Sequence, residues 1–114
     1  MTSEIEEFFG GYDDAIATLS KNLYKLVSSC APQSSETLQK GWKMVSFGHR
    51  EKFCSIAPHS KWVNLHFQAG SSLEDSEGLL EGSGKSMRHV KITKAADLSK
   101  DLKALVKQAA QLAQ

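Results

Sequence analysis

The apolar residues of this chain keep two different periods, and the places where one gives way to the other constrain the fold most. Ile16, Leu19, Leu23, Leu26 and Val27 recur at the spacing of a helix with one buried stripe. Beyond Gly41 the period falls to two, most clearly where Val63, Leu65 and Phe67 alternate with Trp62, Asn64 and His66. Helical spacing returns in Leu102, Leu105, Val106, Ala109 and Leu112. At 114 residues the chain has room for one core. The expected architecture is therefore a single α+β domain over residues 1–114. It has an antiparallel sheet of about four or more strands, N-terminal helices and a C-terminal helix, with the helices on one sheet face.

Local signals set the expected boundaries. Ser3-Glu4-Ile5-Glu6 matches a capping box, and Gly10-Gly11 stops the short helix that follows. A second helix starts around Tyr12, with Asp13 and Asp14 in its first turn, and ends before Pro32. Ser34 to Gln39 is expected to add a helical turn. Strands are expected near 42–47, 52–57 and 61–67, joined by turns at Gly48-His49-Arg50 and Pro58-His59-Ser60. Residues 71–86 read as an ordered loop with a helical turn, and 88–92 as a fourth strand. Ser99 is the expected cap of the last helix.

Several function classes are excluded at this level. No stretch approaches the ~20 apolar residues of a membrane span. The N-terminus carries acids where a secretory signal carries bases, which makes a cytoplasmic location the expectation. Cys30 and Cys54 are too few for a disulfide framework and lack metal-type spacing. Residues 1–38 hold six acids against Lys21 and Lys25, whereas residues 39–94 hold nine bases against five acids. That asymmetry favours an anionic partner for the middle of the chain, but it is too weak for a dedicated nucleic-acid protein.

Two constellations stand out as candidate binding residues. The first is the loop Leu79-Leu80-Glu81-Gly82-Ser83-Gly84-Lys85-Ser86-Met87, which runs into Arg88, His89 and Lys91. A phosphate-binding P-loop would need its first glycine at position 79, which is Leu79, and a helix rather than a strand after the loop. A looser anion nest remains open, with Gly82 and Gly84 exposing backbone N–H groups and Lys85 and Arg88 adding charge. The opposite reading is a tight connection whose glycines only permit positive φ. The second constellation is the sheet face away from the core, where Trp62, Asn64 and His66 share one side of a strand and His89 and Lys91 one side of another. An aromatic plate with amide, imidazole and amine groups suits a polar or anionic ligand, and the same composition suits a homodimer surface.

Catalysis and metal binding have less to stand on. His49, His59, His66 and His89 are dispersed, without ligand-type spacing. Glu4, Glu6, Glu7, Asp13 and Asp14 all fall in first turns of helices, where the helix dipole already accounts for acids. Cys54 shares a strand face with Ile56 and reads as a small core hydrophobe rather than a nucleophile.

The segments 42–49 (WKMVSFGH), 53–59 (FCSIAPH) and 63–67 (VNLHF), with 79–91 as the most specific part, resemble the YdhG-like proteins, domain of unknown function 1801. The resemblance implies a small α+β domain with an antiparallel sheet flanked by helices. It also implies a link to relatives likened to frataxin and proposed as iron chaperones, so iron enters as the one cofactor to consider. The expected function is a non-enzymatic binding module for an anionic small ligand or a protein partner's acidic group. The alternative is an iron chaperone using the N-terminal acids.

Overall fold

The computed structural model describes residues 1–114 as helices on one face of a five-stranded antiparallel sheet. α1 (Ser3–Gly10) and α2 (Asp14–Cys30) come first. β1 (Ser35–Gln39), β2 (Met44–Gly48), β3 (Lys52–Pro58), β4 (Val63–Phe67) and β5 (Arg88–Ile92) follow, then α3 (Lys100–Leu112). The strands pair in sequence order, so the sheet is a plain meander. Short 3-10 turns at Gly70–Ser72 and Ala95–Asp97 punctuate the connections on either side of β5. No helix is long and apolar enough to cross a membrane.

Helix starts follow their caps. Thr2 accepts from the Ile5 N–H, Asp13 from Ile16 and Ser99 from Leu102, each satisfying an otherwise orphaned first-turn donor. The cap of α1 is thus Thr2, one residue before the Ser3 of the expected capping box. Ile5 and Phe9 of α1 bury against α2, and the Phe9 ring lies 6.5 Å from Tyr24, itself 5.5 Å from Phe47 of β2. The buried stripe of α3 is Leu102, Leu105, Val106, Ala109 and Ala110. Leu112, expected in that stripe, is 58% exposed, since it falls at the margin of the face that Leu102, Val106, Ala109, Ala110 and Ala113 bury.

The helix-facing side of the sheet carries Val45, Phe47, Cys54, Ile56, Val63, Leu65, Phe67, Val90 and Ile92, all buried in one cluster with the helices. Each fully buried Leu, Ile or Phe here contributes about 1.5–3 kcal/mol. The pairing of β2 with β3 shifts between Phe47 and Gly48, an irregularity that leaves Phe53 without a β2 partner and lets it join the core beside Cys54.

Residues 35–39 form a strand, not the helical turn expected from the sequence. The reason is non-local: Glu36 pairs with Phe47 and accepts a hydrogen bond from the Tyr24 hydroxyl, while Leu38 pairs with Val45 and packs on the core. Burial, and secondarily Glu36, pushes the Tyr24 phenol up to about 12. The two sheet edges differ. Glu81 exchanges two backbone hydrogen bonds with His89 (2.7 and 3.0 Å) and so interrupts the outer edge of β5 at that residue, whereas β1 closes the other side of the sheet as a bare five-residue edge.

Candidate functional site

The alternation that sends apolar residues to the helices sends a second set to the opposite, open face. Across the meander, Thr37 pairs with Ser46, Ser46 with Ser55, Ser55 with His66 and His66 with His89, and Glu81 continues the row through its bridge to His89. Directly opposed residues of an antiparallel pair share a face, so this is one polar row spanning the whole sheet. Its centre is made of small side chains: Ser46, Ser55 and neighbouring Ala57 are buried although they face away from the helices. Large side chains stand around them, and the face is concave as a result.

That concavity is a cavity of about 290 Å³ lined by Gln39, Trp42, Met44, Lys52, Ser55, His66, Gln68 and Met87. Trp42 and Met87, 76% and 46% exposed, are two of the four large apolar side chains the protein leaves in solvent. They lie diagonally across the open face, Trp42 in the β1–β2 turn and Met87 directly before β5. Lys43 holds that turn with φ 54°, a left-handed conformation that costs a non-glycine residue about 1–2 kcal/mol. Opposite, Arg88 Nη1 donates to the carbonyls of Gly84 (2.5 Å) and Met87 (2.8 Å) and fixes the approach to β5.

Beneath the rim runs a hydrogen-bonded chain. Lys52 Nζ lies 3.1 Å from Gln39 Oε1, and the Ser46 hydroxyl donates to the same oxygen at 2.5 Å. Ser46 and Ser55 hydroxyl oxygens are 2.8 Å apart. Beside the chain, His66 is half-buried, and its pKa is lowered first by that burial and then by His89 and His59 nearby. The imidazole is therefore neutral at pH 7, with one donor and one acceptor nitrogen.

Of the residues singled out from the sequence, Trp62, Asn64, His66, His89 and Lys91 do come together on the open face. The Lys91 ammonium sits 4.6 Å from the Trp62 ring centroid, Trp62 stacks on His59 at 5.0 Å, and the His66 and His89 rings are 5.5 Å apart. Asn64 reaches His59 Nε2 at 3.3 Å. Only His66 of this set lines the cavity. Arg88 is paired with Phe67 and so belongs to the helix side. Gly82 takes φ 116°, and the Gly84 carbonyl faces the Arg88 guanidinium. The loop thus turns one acceptor, the Gly84 carbonyl, toward its cation, and Lys85 extends into solvent from it.

Sequence reasoning passed over six of the eight cavity residues, Gln39, Trp42, Met44, Lys52, Ser55 and Gln68, and named Met87 only as the end of the glycine loop. The available signal was size. Ser46, Ser55 and Ala57 are small at the open-face positions of the two central strands while Trp42 and Met44 are large beside them, and that contrast marks a hollow.

The acids outside this face are already engaged in part. Glu4 pairs with Lys40 at 3.6 Å and Asp13 caps α2. No three His, Cys, Asp or Glu side chains converge as a metal-ligand set. Cys54 is fully buried, and burial, with Cys30 adding to it, pushes its thiol far up.

No curated protein and no solved structure matches the chain. No comparison connects it with the YdhG-like proteins or with frataxin. One family model does match, over residues 5–113, and by it the chain belongs to the family described as Domain of unknown function (DUF5655).

Proposed function

We propose that the protein is a non-enzymatic binding module that takes a small anionic ligand on the open face of its sheet. The observation that supports this reading most is the 290 Å³ cavity, where one ammonium, two amides, a hydroxyl and a neutral imidazole are set between apolar walls. A few convergent polar groups in a mainly apolar hollow is the usual make-up of a ligand site. Binding rather than turnover is favoured by the state of the nucleophiles: Ser55 is hydrogen-bonded to Ser46, and Cys54 is held as a buried thiol.

The test is a thermal-shift screen of carboxylates and phosphates, followed by the same screen on Lys52→Met. A ligand at a hundred times its Kd stabilises the fold by about 2.7 kcal/mol. The expected result is a shift in the wild type that Lys52→Met loses while its own melting temperature stays near the wild type. If none of the anions moves the melting temperature, the reading fails. A protein partner presenting an acidic side chain would instead show as binding of an acidic peptide without any small-molecule shift.

The second reading, an iron chaperone using Glu4, Glu6, Glu7, Asp13 and Asp14, rests on the YdhG-like resemblance. What favours it in the structure is that Glu4 and Glu7 line one shallow depression, though Lys40 occupies the same place. Anaerobic calorimetry with Fe(II) tests it: binding unchanged after all five acids are neutralised would reject this version.

A further inference from the structure

The direction of the hydrogen bonds under the cavity narrows its ligand, on the assumption that the open-face reading holds. A lysine ammonium only donates, so the Gln39 atom 3.1 Å from Lys52 Nζ accepts and is the amide oxygen. Ser46 lies 2.5 Å from that same oxygen and must give its single proton to it. The 2.8 Å contact between Ser46 and Ser55 then has only one proton left to use, that of Ser55. Ser55 therefore keeps only lone pairs for the cavity it lines.

The other end of the chain has the opposite character. Both lone pairs of the Gln39 oxygen are taken, by Lys52 and by Ser46, so the part of that side chain left for a ligand is its –NH₂. Lys52 has two further N–H groups beyond the one on Gln39. The cavity thus offers a cationic donor pair at one place and a pure acceptor at another. The walls are Trp42, Met44 and Met87, an indole face and two polarisable thioethers, which favour an aromatic ring over a saturated one. At about 290 Å³ the space is at the lower end of ligand pockets, roughly 300–1,000 Å³, which limits the occupant to one or two rings.

We infer that the cavity takes a small aromatic carboxylate bearing a ring N–H or O–H, its acid on Lys52 and the Gln39 amide, its ring between Trp42 and the methionines, and its donor on Ser55. A monocyclic or bicyclic heteroaromatic acid meets these terms. Inorganic phosphate satisfies only the first of them, and a neutral aromatic only the second and third.

Calorimetry on the full chain with three probes decides the matter: indole-3-carboxylate, 1-methylindole-3-carboxylate and inorganic phosphate. The first should bind at least tenfold tighter than either of the others. Ser55→Ala should remove the difference between the two indole acids, and Trp42→Ala should weaken both while leaving the melting temperature unchanged. The methylated probe on the wild-type protein makes the comparison independent of whether the variants fold. Equal affinity for the two indole acids overturns the acceptor assignment. Binding of phosphate without binding of indole-3-carboxylate overturns this inference while the anion-binding reading stands. Silence from all three overturns the inference, and the wider carboxylate and phosphate screen then decides the reading.

Discussion

Replacing Gly70 by alanine is expected to destabilise the fold and to disturb the cavity rim together. A Cβ at Gly70 would lie 2.4 Å from Arg88 Cβ, 2.8 Å from Arg88 Cγ and 2.8 Å from the Arg88 backbone nitrogen. Two of those three atoms cannot be moved by rotating a side chain, so β5 or the 3-10 turn has to shift. Overpacking of this kind costs about 1–3 kcal/mol, and rigid neighbours put this site at the upper end. Unfolding entropy of about 2.1 cal/mol/K per residue makes roughly 0.24 kcal/mol/K for the domain, so ~3 kcal/mol lowers the melting temperature by about 12 °C. The shift is not confined to stability. Ser71, beside Gly70, donates to the Ser86 carbonyl at 2.9 Å, and Met87 follows directly. Urea denaturation of Gly70→Ala, alone and in an Arg88→Gly background, measures the effect. Arg88→Gly removes both side-chain contacts, so the penalty of Gly70→Ala should fall by at least about 1 kcal/mol there. An equal penalty in both backgrounds, or one below ~0.5 kcal/mol, would refute the steric argument.

Two further outcomes follow from the titrating groups. Because the folded pKa of His66 lies below its unfolded value of about 6.5, the unfolded chain binds more protons between the two. Its contribution is complete above pH 6.5 and is lost as pH falls through the folded pKa. The urea midpoint should therefore drop between pH 7.5 and pH 5 more in the wild type than in His66→Gln, and parallel curves would contradict this. For the cysteines, a disulfide reagent should label half-buried Cys30 in the native protein, while Cys54 reacts only as fast as the chain unfolds. Labelling of both thiols at one rate in the folded protein would be inconsistent with that burial.

The parts of the fold legible in the sequence were those whose burial repeats locally. The stripes of α2 and α3 and the alternation of β4 each hold three or more apolar residues at one period, enough to fix type and face. β1 was not legible as a strand, since Ser35-Glu36-Thr37-Leu38-Gln39 offers one apolar residue, and Glu36 owes its place to Tyr24, twelve positions earlier. The open face was half legible. The positions of Trp62, Asn64 and His66 on it follow from period alone, and so do those of His89 and Lys91. The cavity depends instead on which strands adjoin, because Gln39, Lys52 and Met87 meet only through the strand order. Arg88 depends on register in the same way. Its charge suggested a ligand contact, but its register partner Phe67 puts it on the other face, where it braces the loop before β5.

The unequal sheet edges give the molecule a direction of growth. With His89 on the outer side of β5 already paired to Glu81, an additional strand, from a second copy or another chain, finds its longest uninterrupted run of unpaired backbone groups along β1. That strand also carries Gln39, whose amide borders the cavity. A chain docking there would stiffen the same five residues that position the amide, so association and ligand uptake would be linked through one short strand, each reporting on the other.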